Sequence, residues 1–281
     1  MQRILKQIPG RSFEVIAMSC THEGSIMCHY EGINRAVDYI GSTKNCYALH
    51  LGDLIEAIAT DDKRYNQPPP GKKELELSVP MQQAKQVVKR FKPIKRKFIT
   101  ILKGNHERYL QRIANFAEYI ADELGVPYGT ETCRIILESK MRPLFNIQAM
   151  HGTRLFTSHA KDYEQREANK KASMKLYLQD QMGDCSIHLV GHAHQILIVP
   201  PANRLYFVDG VNSVQQQYLK GAVNFGYINP EQRWYACCGS ARKSRYDGYD
   251  DYAQNYEPTE LGFVKIIVED GQIVKLEPFL I

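Results

Sequence analysis

The chain has 281 residues and a formal net charge of +5, with 43% hydrophobic and 24% charged residues. This composition is typical of a globular protein, and no apolar stretch is long enough for a transmembrane helix. The N-terminal segment has neither a long apolar run nor the small-residue cleavage site of a signal peptide, so we expect a cytoplasmic protein without a membrane partner.

Short β-branched or aromatic runs predict eleven strands, at residues 13–19, 46–51, 97–103, 134–139, 145–150, 154–158, 186–190, 204–208, 233–237, 262–268 and 273–278. Amphipathic stretches predict helices from Ile33 to Ile40, from Met81 to Phe91 and from Glu107 to Leu124. The first half alternates strand and helix, and the second half is rich in strands. This order predicts an α/β fold with two packed sheets flanked by helices.

We expect one domain over residues 1–281, with an irregular lobe at about 210–258. Gln67 to Gly71, with three consecutive prolines, predicts an exposed loop. The tyrosines of the lobe are more consistent with packing than with stacking on nucleobases, and they lie at 246, 249, 252 and 256.

Seven basic residues lie between Lys85 and Lys97. Such a run suits an anionic partner and a solvated helix face equally well. No two of the seven cysteines form a CxxC pair, and most of them lie in apolar, strand-like segments. This is typical of reduced, buried thiols.

Four predicted strands are directly followed in the sequence by residue types that bind metals. The segments are SCTHEG, GDLIEA, GNHE and GHAHQ. Loops after the carboxyl ends of parallel strands share one crevice, so these side chains can converge. A further histidine closes the predicted strand RLFTS. The set comprises Cys20, His22, Asp53, Asn105, His106, His159, His192 and His194. Such a mixture of donors suits two divalent ions, with Mn, Zn, Fe or Ni as candidates, and two ions can clamp a phosphoryl centre.

GDLIE, GNHE, the isolated histidine and GHAH, in this order, resemble the calcineurin-like metallophosphoesterases, whose pattern is DxH, GDxx, GNH(D/E), H and GHxH. The resemblance covers residues 13 to about 195, and the stretch from Glu74 to Arg108 is similar to phage-type members. It implies an αββα sandwich and a dinuclear metal site.

The resemblance also implies roles for single residues. His22, Asp53 and His194 would hold one metal. Asp53 would bridge to a second metal held with Asn105, His159 and His192. His106 would face the phosphate and stabilise charge or protonate the leaving oxygen, while a hydroxide shared by the metals attacks phosphorus. Asn105, His106 and Arg108 are the candidate substrate-binding residues.

Cys20 departs from the family pattern, because the first block reads CTH where DxH is expected. A thiolate can bind Zn or Fe(II), so Cys20 is a candidate ligand at a softer site. The alternatives are a weakened or empty first metal site, or covalent catalysis by Cys20, for which no paired acid is identifiable.

Several other residues have two interpretations. His151 competes with His159 for the isolated histidine, and we favour His159 because it ends a predicted strand before a helix. His50 and His188 are interpreted as core histidines. Glu56 is interpreted as a surface or ligand-orienting carboxylate, and Glu107 as a residue that begins a helix.

The sequence therefore predicts a metal-dependent phosphatase or phosphodiesterase acting on a phosphate ester. The basic character favours nucleotides or the ends of DNA or RNA as substrates, and the protein would be a nuclease if nucleic-acid ends are its substrate. A small phosphatase or phosphodiesterase fits the sequence equally well. The alternatives are a catalytically weakened scaffold that keeps the fold, and a nucleic-acid-binding protein.

Overall fold

The computed structural model describes residues 1–57, 79–203, 205–211, 213–218, 226–245 and 258–281. Within these ranges the α-helices are α1 (Tyr30–Ser42), α2 (Val79–Phe91), α3 (Asn105–Tyr109), α4 (Phe116–Leu124) and α5 (Tyr163–Leu178). Short 3-10 helices lie at Lys92–Lys97 and Pro230–Gln232. None of the described helices has both the length and the apolar composition needed to cross a membrane.

Thirteen strands are found in the described residues. In chain order they are β1 (Gln2–Gln7), β2 (Phe13–Met18), β3 (Cys46–His50), β4 (Phe98–Ile101), β5 (Thr132–Ser139), β6 (Arg142–Met150), β7 (Ile187–Val190), β8 (Ile196–Val199), β9 (Leu205–Asp209), β10 (Val214–Tyr218), β11 (Trp234–Cys238), β12 (Gly262–Glu269) and β13 (Gln272–Leu280).

Eleven of these strands form two mixed sheets, a six-stranded sheet in the order β1-β5-β6-β7-β11-β8 and a five-stranded sheet in the order β13-β12-β2-β3-β4. Among the described residues, strands β9 and β10 pair only with each other. β2, β3 and β4 are parallel, and so are β6 and β7. Each sheet therefore directs several carboxyl ends towards one edge.

The two sheets pack face to face with helices on both outer sides. Strand β2 shows this arrangement, because Val15 belongs to the core between the sheets whereas Ile16 packs on the side of α1, α2 and α4. Helix α5 covers the other sheet through Met174 and Leu178. Strands covered on both faces are expected to be apolar, as β2 is from Val15 to Met18. The predicted α/β class, with two packed mixed sheets flanked by helices, is confirmed.

Ten of the eleven predicted strands are present, but the predicted strand at 154–158 is not. In that segment only Phe156 is buried, and no strand in the described part of the chain pairs with it. Three strands were not predicted, namely β1, β8 and β10. β1 and β10 are mostly exposed, so they lack the apolar pattern of a buried strand.

The single helix predicted from Glu107 to Leu124 is wrong, because the chain forms α3 and α4 with a non-helical stretch between them. The Asn115 side chain accepts a hydrogen bond from the backbone of Glu118 and so caps α4. Ile113, predicted on the buried face, is 78% exposed. The loop predicted at 67–71 and the tyrosines at 246, 249, 252 and 256 lie outside the described residues. The described part of the predicted lobe includes β10 and β11.

His188 on β7 makes the stability of the protein sensitive to acid. Its ring stacks on Tyr235 and its Nδ1 lies 2.5 Å from Gln148 Oε1. Burial, followed by the charge of Arg233, lowers the pKa of His188 to about 4. The unfolded chain, with a histidine pKa of about 6.5, therefore binds more protons between these values, and stability falls as the pH falls below 6.5.

When the pH is lowered from 7 to 5, the free energy of unfolding should fall by roughly 2 kcal/mol less in His188→Gln than in the wild type. Urea melts at the two pH values measure this difference. Substitution of the exposed His159 by glutamine is the control. Equal pH slopes for His188→Gln and the wild type would contradict the prediction.

Candidate metal centre

The carboxyl ends of five strands from both sheets meet at one place. Cys20 and His22 follow β2, and Asp53 follows β3. Asn105 and His106 follow β4, His151 follows β6 directly, and His192 and His194 follow β7. The sheets are joined here, because His151 Nδ1 lies 2.7 Å from the backbone oxygen of Leu51. The strand-end motifs of the sequence therefore converge.

Backbone hydrogen bonds fix the first two loops against each other. Cys20 N donates to Gly52 O at 3.0 Å, and His22 N donates to Asp53 O at 3.1 Å. Gly52 has a φ of +96°, and a Cβ at this residue would lie 2.4 Å from Gly104 N. Glycine is thus required at residue 52, where the second and third loops come into contact.

Glu107 holds the same loops through a fully buried carboxylate. It accepts hydrogen bonds from the backbone N–H groups of Asp53 at 3.1 Å, Ile55 at 3.0 Å and Gly104 at 2.8 Å. Burial and the charge of Asp53 raise the pKa of Glu107. Its position at the start of α3 agrees with the prediction, but its contacts to the Asp53 loop could not be read from the sequence.

Many side chains of the site stand on left-handed backbone, which L-amino acids rarely adopt. Such residues cluster at functional sites, because the surrounding structure must offset a cost of about 1–3 kcal/mol each. They are Cys20, His22, Asp53, His192 and His194, with φ values between 48° and 63°. We infer that the fold maintains this strain because it turns donor atoms inward.

One set of potential metal ligands, which we call the first donor group, has ligand atoms that all lie within 4.8 Å of one another. It consists of Cys20, His22, Asp53 and His194. His22 Nε2 is 3.1 Å from His194 Nε2 and 3.9 Å from Asp53 Oδ2, and Cys20 Sγ is 4.0 Å from the same oxygen. Burial lowers the pKa of His22 and of His194, so both rings are held in the neutral form that binds cations.

Asp53 also belongs to a second donor group, together with Asn105, His151 and His192. Asn105 Oδ1 is 2.9 Å from His151 Nε2 and 2.8 Å from His192 Nδ1, and His151 Nε2 is 3.2 Å from Asp53 Oδ2. Nδ1 of His151 faces the Leu51 carbonyl oxygen, so when the ring is neutral Nδ1 keeps the proton and Nε2 can offer its lone pair to a cation beside these oxygens. Convergent lone pairs of this kind fit a cation.

The charge on Asp53 is set by its histidine neighbours. Burial alone would raise the pKa of Asp53, but the charges of His151 and His106 and the hydrogen bond with His151 outweigh it and hold the pKa well below its usual value. In return, Asp53 raises the pKa of His151 against the opposing effect of burial. The carboxylate is therefore ionised and able to serve both donor groups.

His106 and Glu56 form a buried layer beside the first donor group. Glu56 Oε2 lies 2.8 Å from His22 Nδ1, although the two atoms are not aligned for a hydrogen bond. His106 donates its backbone N–H to Asp53 Oδ1 at 3.0 Å, and its Nδ1 contacts the backbone oxygen of Glu56. Glu56 is thus a buried carboxylate in contact with the ring of His22, and not a surface residue.

His159 is not brought to the site. It is exposed, it belongs to no helix or strand, and it lies outside the donor groups. The sequence-based preference for His159 relied on the strand at 154–158, which the structure does not contain. His151 is 3% exposed and occupies the corresponding place at the end of β6. We therefore replace His159 by His151 in the proposed ligand set.

This replacement gives a direct prediction. We expect His151→Ala to lose about one equivalent of bound metal, because it removes one imidazole of the second donor group. His159→Ala should keep the metal content of the wild type. Metal analysis of the dialysed variants checks both, and metal loss in His159→Ala alone would restore the sequence-based assignment.

Arg108 lies at the rim of a cavity of about 90 Å³ beside the second donor group. Its Nη1 is 3.7 Å from Glu131 Oε2, and its side chain is 41% exposed. Lys103 and Tyr177 also line the cavity, together with Asn105 and His151. Lys103 was not singled out in the sequence, because a lysine two residues before the proposed ligand Asn105 carries no pattern of its own.

Fold and site together define an α/β sandwich with a buried cluster of metal-binding residue types at its strand ends. No family model matches the chain, and no curated protein matches its sequence. Similar solved structures include a Vps29 variant from Entamoeba histolytica, with 14% identity, a TM-score of 0.40 and coverage of 96% of this chain and 99% of that one.

The NAD nucleotidase NadN from Haemophilus influenzae is 11% identical with a TM-score of 0.41, and the match covers 96% of this chain and 50% of NadN. The chain thus spans half the length of that protein. Vps29 from Chaetomium thermophilum is 11% identical with a TM-score of 0.28, covering 92% and 85% of the two chains. The functional interpretation therefore rests on the residues of the site.

Proposed function

We propose that the protein is a divalent-metal-dependent phosphoesterase of the calcineurin-like metallophosphoesterase type, hydrolysing phosphate monoesters or diesters. The observation that carries this proposal is the shared position of Asp53 in two adjoining donor groups. A carboxylate has two oxygens and can serve two cations at once. Bound there, two divalent ions would activate water and neutralise the charge of a phosphate group.

The two groups divide the donor types unequally. The first combines a thiol with two imidazoles and Asp53, and the second combines an amide oxygen with two imidazoles and Asp53. Mixed nitrogen and oxygen donors suit Zn, Mn, Fe or Ni, and the sulfur of Cys20 favours Zn or Fe at the first group. Glu56 and the Leu51 carbonyl orient His22 and His151, which is the usual support for ligating imidazoles.

His106 is the proposed catalytic residue that is not a metal ligand. Burial lowers its pKa, but the charges of Asp53 and Glu56 outweigh this effect, so the net shift is upward. A histidine that keeps its proton near neutral pH can stabilise the departing oxygen or protonate it. Asn105 and Arg108 are the further substrate-facing residues in this proposal.

A catalytically weakened scaffold is the second candidate, and one observation favours it. Burial and the charge of Asp53 raise the pKa of Cys20 well above its usual value, so without a cation this donor is a neutral thiol. A neutral thiol is a poorer ligand than the carboxylate of the DxH pattern. The two candidates therefore differ in whether the first donor group binds metal.

Metal analysis and hydrolysis of a generic aryl phosphodiester and monoester separate the candidates. A phosphoesterase should bind two equivalents of metal and hydrolyse at least one of these esters. One equivalent or less, with no hydrolysis under Mn, Zn, Fe or Ni, would support the scaffold.

Cys20→Asp tests the first donor group directly. In cobalt-loaded wild type we expect a near-ultraviolet thiolate-to-cobalt absorption, because Cys20 ligates the ion after losing its proton. The band should vanish in Cys20→Asp, and metal preference should shift from Zn towards Mn. Cys28→Ser, at a buried thiol outside the donor groups, is the control. A band that persists in Cys20→Asp would contradict the assignment.

A further inference from the structure

Five basic side chains form an exposed row along α2 and the 3-10 helix that follows it. We call them the basic stripe, and they are Lys85, Lys89, Lys92, Lys95 and Arg96. No acidic residue occurs between Val79 and Lys97. In the described part of the chain none of these five side chains forms an ion pair or a hydrogen bond, whereas Arg90 and Lys97 of the same segment do.

The stripe is rigidly placed, because the opposite face of the segment belongs to the core. Ala84, Val87 and Phe91 of α2 are buried, as is Ile94 of the 3-10 helix. Lys97 Nζ donates to carbonyl oxygens at the end of α1, including Thr43 O at 2.6 Å. The charges thus follow a fixed line on the order of 20 Å long, estimated from the helical rise per residue.

The same segment is attached to the loops of the metal centre. Gln83 Oε1 accepts a hydrogen bond from Ala57 N at 2.9 Å, immediately after Glu56. Arg90 binds both carboxylate oxygens of Glu23, the residue after His22, at 3.0 and 3.2 Å. The segment that carries the basic stripe therefore contacts the loops that follow His22 and Asp53.

The composition of the stripe selects among anionic partners. Protein interfaces are depleted in lysine and use aromatic or apolar anchors, whereas α2 buries its apolar residues in the core. An amphipathic helix that inserts into a membrane needs an apolar face free for lipid, which α2 lacks for the same reason. A row of lysines without such anchors is typical of contacts with nucleic-acid phosphates.

We propose that the basic stripe binds the phosphate backbone of a nucleic acid and leads it to the metal centre. Binding is a property of the stripe alone, and only the identity of the substrate rests on the proposed phosphoesterase function. Contacts to phosphates carry no sequence information, so binding is independent of base sequence.

The test is fluorescence anisotropy with a labelled DNA strand of about 20 nucleotides, in EDTA so that no hydrolysis occurs. Affinity should fall steeply between about 50 and 200 mM salt. The variant K85Q/K89Q/K92Q should bind about tenfold more weakly at the lower salt, and the slope of log affinity against log salt should decrease by roughly two.

The matched control is R3Q/K140Q/R142Q, which removes three exposed charges from the opposite sheet and should bind as the wild type does. K85R/K89R/K92R should also retain affinity, because it keeps the charges. Equal loss in the stripe variant and the control, no DNA binding at low salt, or tighter binding to polyglutamate or phosphatidylserine vesicles would overturn the proposal. DNA binding without any ester hydrolysis would retain the stripe and reject the phosphoesterase.

Discussion

Asp53→Asn should reduce kcat/KM for any phosphate ester at least roughly a thousandfold, equivalent to ~4 kcal/mol of transition-state stabilisation. The substitution removes the ionised oxygen donor shared by the two donor groups, so both proposed metals would lose a ligand together. The amide keeps an oxygen that can still accept from His106 N, and the backbone N–H of residue 53 still faces Glu107. The loop is thus expected to keep its shape.

Metal analysis beside steady-state kinetics checks this expectation, with bound metal falling from two equivalents to less than one. Asp38→Asn, at an exposed carboxylate on α1, is the matched control and should leave both quantities unchanged. A variant that keeps two metals and its rate would show that Asp53 is not shared between them. If the wild type hydrolyses no ester and the only effect of Asp53→Asn is loss of bound metal, the result would support the scaffold.

Glu107→Gln should lower the free energy of unfolding by about 2–4 kcal/mol. The carboxylate accepts three backbone N–H groups from two loops, and it is fully buried. An amide of the same shape has one acceptor oxygen, and its NH₂ group would face at least one backbone N–H. A buried donor left without an acceptor costs free energy of this size.

Urea melts of Glu107→Gln and the wild type measure the loss directly. Glu123→Gln, at an exposed position on α4, should stay within about 0.5 kcal/mol of the wild type. Because Glu107 holds the loop of Asp53, metal affinity should fall as well. Wild-type stability in Glu107→Gln would show that other contacts are enough to hold the loops together.

The layers of the fold could be predicted because the buried strands are apolar on both faces. β2 is the clearest case, and its motif SCTHEG lies where the strand order places it. β10 could not be predicted, because all its residues are exposed and, within the described ranges, it pairs only with β9. Exposed strands pair through backbone groups, which leave no trace in the side-chain pattern.

The choice between His151 and His159 shows a different limit. Both histidines follow runs that are compatible with strands, but only Ile147 and its neighbours in β6 are paired on both sides. Residues 154–158 contain one buried side chain, Phe156, which packs beside Tyr177 of α5. One such contact depends on tertiary packing, and local sequence does not record it.

The contacts of Glu56 and Glu107 lie beyond sequence reasoning for a similar reason. Each residue stands within a recognisable motif, yet its partner belongs to another loop. A carboxylate at the start of a helix suits the dipole whether or not a second loop binds it. Only the approach of the loops distinguishes the two situations.

The left-handed backbone at five donor residues has a consequence for engineering and for evolution. Glycine at these positions would relieve strain, so selection for stability alone would favour it. The chain instead keeps cysteine, aspartate and histidine there, at a thermodynamic disadvantage that the rest of the fold offsets. Redesign for heat resistance that replaces Cys20, Asp53 or His194 by glycine would therefore raise the stability of the protein and remove donor atoms from its metal centre.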